Sequence, residues 1–77
     1  MADVADRLKV ARERFPLSQR ELGQRSGVAV SSIADIERRH VARPRPATIR
    51  ALAQALGVDA GWLATGREPD GRPSRDG

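Results

Sequence analysis

The 77-residue chain contains no cysteine and no tyrosine, and it has a single phenylalanine, a single tryptophan and a single methionine. Without thiols, no disulfide framework can staple the fold and no thiolate metal site can form. His40 is the only histidine, so imidazole ligands cannot make up the deficit. No apolar run approaches the ~18 residues that a membrane span needs. The opening MADVADRLKV lacks the apolar core of a secretion signal. No glycine-rich phosphate loop occurs, nothing in the spacing gathers the Ser, His and Asp residues, and a core this small leaves no deep pocket. The expectation is a soluble, cytoplasmic protein that is not an enzyme and carries neither metal nor cofactor. A chain of this length buries only ~60% of its unfolded surface, which allows one domain with one modest core.

Lysine is nearly missing as well. Of the 14 basic residues only Lys9 is not arginine. Arginine presents a planar fork of donors that matches phosphate and guanine edges, but a GC-rich genome produces the same bias. Placement is more telling than composition. The formal charge is +4, and the three arginines beyond Gly66 are balanced by three acids, so the excess lies within residues 1–66. Residues 67–77 offer no apolar anchor and read as a flexible tail.

The rest patterns as helices, with no convincing strand. Val4, Leu8, Ala11 and Phe15 share one helical face, capped by Asp3 and ended by Pro16, which disfavours helical dihedrals at the residue before it. Ser18-Gln19-Arg20-Glu21 is a capping box that opens a second helix of about two turns, with Leu22 and Ser26 inward and Gly27 at its end. A third helix is expected over about 30–38, burying Ile33 and Ile36 with Val28 at the turn. A fourth has Pro46 at its first position, Ile49, Leu52, Ala53 and Leu56 on one face, and Gly57 at its stop. A short fifth helix starts at Asp59 and buries Trp62 and Leu63.

The segment from Gln19 to Arg38 carries the most information. A tight turn between two helices needs a small residue where they approach, which Gly23 supplies, and a positive φ at the turn, which Gly27 supplies. It also needs branched aliphatics to lock the second helix, here Ile33 and Ile36. The intervals of four, six and three fit a helix-turn-helix, whose second helix is presented outward. Set between an amphipathic helix and the helix that follows, the pattern is far more specific than the same residues in isolation.

From about Val4 to Gly66 the chain resembles the Cro/CI or Xre-type helix-turn-helix proteins, the five-helix lambda-repressor-like domains. The segments LSQRELGQRSGV, SSIADIER and PATIRALAQALGV carry the likeness, together with Arg43-Pro44-Arg45 and Gly57-Val58 followed by Trp62-Leu63 and Gly66. The resemblance implies sequence-specific binding of double-stranded DNA by a transcriptional regulator, as a weak homodimer strengthened on DNA, with no small-molecule effector evident. It places Gln19 at a backbone-contacting helix N-terminus. Ala29, Val30, Ser31 and Asp35 correspond to base-reading positions, with Ala34 and Arg38 on the same side. The two alanine and valine side chains offer methyl contacts to thymine, Ser31 bonds either base type, and Asp35 accepts from a cytosine amino group.

Two departures stand out. Ala29 forgoes a side-chain N-cap, and Asp35 sets a negative charge near phosphates unless it pairs with Arg38 or Arg39 on its own helix. Arg12 and Glu37 match a pair that bridges the first and third helices. Arg38, Arg39, His40, Arg43 and Arg45 form an acid-free stretch that the resemblance sets beside the phosphate backbone, with Arg45 approaching the minor groove. Val58, Trp62 and the Arg43-Pro44 turn match the region where related domains meet, although Trp62 also reads as core that closes the fifth helix onto the first. The competing reading is a protein-interaction module on the same fold, such as an antitoxin or anti-regulator, with Ala29, Val30 and Asp35 facing a protein.

Overall fold

A computed structural model describes residues 3–67. These residues form an all-α domain with the order α1 (Val4–Arg14), α2 (Gln19–Ser26), α3 (Val30–Glu37), α4 (Pro46–Leu56) and α5 (Ala60–Thr65). The expected tail lies outside the described residues apart from Arg67.

Local chemistry sets most helix ends. The Asp3 carboxylate accepts the Asp6 N–H at 3.0 Å and opens α1. At α2 the capping box is complete: Glu21 N–H donates to Ser18 Oγ at 3.0 Å, and Ser18 N–H donates to Glu21 Oε1 at 2.8 Å. Asp59 accepts the Trp62 N–H at 2.9 Å and opens α5. Pro46 begins α4, where a missing N–H leaves no helical bond unmade.

The ends of α1 and α3 differ from the sequence reading. Phe15 keeps helical dihedrals (φ −57°, ψ −44°), so Pro16 does not act by displacing its predecessor. The Phe15–Pro16 bond is cis. Pro16 has no N–H to extend the ladder, and Leu17 N–H closes the end on Arg12 O at 2.8 Å. Phe15 is consequently carried past the core: it is 44% exposed, with the Arg25 guanidinium 5.0 Å above its ring. Leu17 is buried in its stead. It occupies the position before the Ser18 cap and Leu22 the fourth residue after it, the two places of a hydrophobic staple. At the other end, α3 stops at Glu37 with Arg38 as its C-cap, one residue earlier than expected, because Arg39 turns to a left-handed φ of 66°.

The core gathers Val4, Leu8 and Ala11 of α1, Leu17, Leu22 of α2, Ile33 and Ile36 of α3, Ile49, Leu52, Ala53 and Leu56 of α4, and Leu63 of α5. Helix α2 packs on α3 and α4, while α1 packs on α3 and α5, and α4 on α5. At eight residues each, α2 and α3 are too short to persist alone, so these contacts hold them helical. Trp62 is half-buried rather than enclosed. It lines a shallow groove with Val10, Ala11, Arg14, Phe15, Leu56 and Val58. No helix among the described residues is long and apolar enough to cross a membrane.

Candidate nucleic-acid interface

The turn between α2 and α3 rests on its two glycines. Gly27 has φ +79° and sends its N–H to Gly23 O, which closes α2 in a conformation that L side chains rarely adopt. Gly23 lies buried where the start of α3 comes closest. A Cβ there would sit 3.0 Å from Val28 O and 3.0 Å from Val30 Cγ2. Val28, half-buried, packs against the core beneath the turn, and its N–H is taken by Ser26 Oγ at 3.1 Å.

Buried aliphatics anchor α3 on one side, with Ile33 fully buried and Ile36 2% exposed. An ion pair anchors its C-terminal end. Arg12 of α1 donates to Glu37 through Nε at 2.8 Å and Nη2 at 3.0 Å, and its Nη1 donates to Leu17 O at 2.9 Å. Gln19, at the N-terminus of α2, completes the cluster by donating Nε2 to Glu37 Oε1 at 3.1 Å. The hydrogen bond to Glu37 raises the Arg12 pKa above its ordinary value, against the opposing effect of desolvation. Three helices (α1, α2 and α3) thus meet at one carboxylate, and the α1–α2 link joins them through the Arg12 guanidinium.

The opposite side of α3 faces solvent. Ala29, Val30, Ser31 and Ser32 are exposed, Ala34 and Asp35 half-buried, and Arg38 exposed. Ala29 is the N-cap and makes no side-chain cap bond, so the first turn keeps free N–H groups. The Asp35 carboxylate pairs with neither Arg38 nor Arg39: its Oδ1 lies 3.5 Å from His40 Nδ1, and His40 N–H donates to Asp35 O at 2.9 Å.

Of the cations after α3, Arg38, Arg43 and Arg45 are exposed, with Arg45 the residue that leads into α4. Arg39, expected beside them at the phosphates, is engaged elsewhere. Its Nε lies 2.9 Å from Asp3 Oδ2 and its Nη2 2.7 Å from Asp6 Oδ1. The Asp3 carboxyl is held below its ordinary pKa, first by the Asp6 N–H and then by Arg39. The paired carboxylates raise the Arg39 pKa in turn. This strap fastens the turn after α3 to the start of α1. Arg7 donates Nε to Leu63 O and Nη2 to Ala64 O, each at 2.9 Å, and so ties the end of α5 to α1. No local signal marks it, since its acceptors lie 56 and 57 residues away. Among the described residues no cluster of His, Cys, Asp and Glu is arranged to hold a metal ion.

The sequence profile of the helix-turn-helix family matches residues 8–63. Among solved structures, the chain is similar to the P22 c2 repressor protein, determined in complex with the synthetic operator 9T in the presence of Tl+. Identity is 26% and the TM-score 0.77, over 86% of this chain and 98% of the repressor chain. With five helices in this order, the turn closed at Gly27 and a profile match over most of its length, the chain belongs to the Cro/CI-type helix-turn-helix family and has the lambda-repressor-like fold.

Proposed function

We propose that the chain is a transcriptional regulator, acting as a repressor, that binds a specific double-stranded DNA sequence by laying α3 in the major groove. The observation that carries this reading is the two-sidedness of α3. Ile33, Ile36 and the Arg12–Glu37 pair fix one side, while Ala29, Val30, Ser31 and Arg38 stand free on the other. A rigid helix with an open polar and methyl-bearing face is what base-edge recognition requires. In this reading Ala29, Val30, Ser31 and Asp35 meet the bases. Arg38, Arg43 and Arg45 meet the backbone, with Arg45 at the minor groove, and Gln19 approaches a phosphate from the N-terminus of α2. Arg39 holds the intervening turn. The chain acts as a homodimer that forms on the DNA, and it blocks transcription by occupancy. The operator bound to the P22 c2 repressor supports the assignment by likeness.

Selection of bound sequences from a random duplex library tests it. A pseudo-palindromic site with half-sites about 10–10.5 bp apart is expected, with affinity falling steeply as salt rises. Equal binding to all duplexes at low salt would overturn the proposal.

A further inference from the structure

We infer that His40 is a positioning residue for base readout, holding the Asp35 carboxylate in the orientation in which it accepts a hydrogen bond from a cytosine amino group. The inference rests on the DNA-binding reading of α3 and adds a residue to it. A carboxylate on the outward face of a DNA-reading helix is at a disadvantage beside phosphates and, left alone, samples several rotamers. The structure supplies a partner for it. His40 lies just beyond the end of α3, its N–H donates to Asp35 O at 2.9 Å, and its ring Nδ1 stands 3.5 Å from Asp35 Oδ1. The backbone bond fixes where the ring originates, so the imidazole meets the carboxylate from the C-terminal end of the helix.

Among the described residues His40 comes within ion-pair distance of Asp35, whereas Arg38, exposed on the same side, does not. Arg39 is taken by Asp3 and Asp6, and the guanidinium of Arg12 by Glu37. At 3.5 Å the imidazole stands beside Asp35 Oδ1 and leaves the other carboxylate oxygen open to accept from a base. Both side chains are substantially exposed, His40 at 62% and Asp35 at 46%, so the pair stands at the surface and contributes to recognition rather than to the core.

The test uses the full chain with Asp35→Ala, His40→Ala, His40→Asn and the Asp35→Ala/His40→Ala double variant. Each is taken through the random-library selection, then through anisotropy titrations on the selected duplex and its single-base variants. Asparagine places an amide donor near the position of Nδ1, so it should retain the wild-type preference. His40→Ala should weaken discrimination at the base pair that Asp35→Ala relaxes, by about threefold or more, with no further loss in the double variant. A uniform loss of affinity across all duplexes in His40→Ala would make His40 a phosphate contact and overturn the inference. So would a change at a different base pair, or an asparagine variant as relaxed as the alanine one. A wild-type chain without any base preference would instead sink the DNA-binding reading together with this one. Circular dichroism on each variant shows whether the fold is kept.

Discussion

Arg12 and Glu37 face each other across α1 and α3 with Nε and Oε2 2.8 Å apart and side chains only 12% and 6% exposed. A charge pair this sheltered stabilises little relative to an apolar substitute, but it is costly to break on one side only. Its role is orientation: it sets where the C-terminal end of α3 lies against α1 and α2.

Removing one partner should therefore be worse than removing both. Arg12→Met is expected to destabilise the domain by about 3 kcal/mol, since Glu37 keeps only its bond from Gln19. Arg12→Met with Glu37→Leu should recover most of that loss. Urea or thermal unfolding decides it, and a double variant no better than the single would mean the pair is not coupled as its geometry indicates.

Gly23→Ala sets two effects against each other. Alanine gains about 1 kcal/mol in helix propensity. Its Cβ would lie 3.0 Å from Val28 O, a backbone atom that cannot rotate away. Forcing α2 and α3 apart costs about 1–3 kcal/mol. A lower melting temperature and weaker DNA binding are expected, whereas a more stable variant would show that the helix approach is soft.

Arg39 combines a left-handed φ of 66° with two ion pairs. Glycine there gives up the pairs but loses the backbone strain. Alanine gives up the pairs and keeps the strain. Melting temperatures should rank Arg39→Gly above Arg39→Ala, and added salt should narrow the gap between wild type and Arg39→Gly, because exposed pairs are screened. The reverse ranking would contradict the left-handed turn.

Asp3 and Glu21 bear on acid stability. Both carboxyls titrate below their ordinary values of 3.8 and 4.5, Asp3 through the Asp6 N–H and then Arg39, Glu21 through Ser18. A depressed pKa means that the folded state favours the charged form. The contribution is therefore present above the unfolded values and lost as pH falls through the folded ones. The raised Arg12 and Arg39 values have the opposite sign, so their contribution is lost only at strongly alkaline pH. Stability should stay level near neutrality and decline below about pH 4.5. Glu21→Gln should flatten that decline in a pH series of thermal melts, and an unchanged slope would count against the capping box.

On DNA, the exposed cations and the outward face of α3 should behave differently. Arg43→Ala or Arg45→Ala should weaken binding to every duplex and reduce the salt slope by about 1 each. Ser31→Ala and Val30→Ala should alter base preference and leave the salt slope alone. If those two changes leave DNA binding untouched while the chain co-purifies with a protein, the face recognises a protein instead.

Much of this architecture follows from residues close together in the chain. Ser18 and Glu21 announce α2, Asp59 opens α5, Pro46 starts α4 and Gly57 ends it, because caps and turns are settled within about four residues. Apolar spacing likewise marks Leu22, Ile33, Ile36, Leu52 and Leu63 as core. Phe15 continues the α1 face in sequence, yet as the cap of that helix it lies past the core and exposed. Leu17, just before the Ser18 cap, carries a local signal of its burial as half of a staple with Leu22.

The local sequence determined where the helices begin, which sides they bury and which outward residues α3 displays, since those depend on short-range hydrogen bonds and helical periodicity. Only the packed fold decided the destinations of the charges. Arg12 meets a carboxylate 25 residues away, Arg39 one 36 away and Arg7 a carbonyl 56 away. An arginine's long side chain reaches whatever the assembled helices bring near, so its partner is a property of the assembly rather than of its neighbours along the chain.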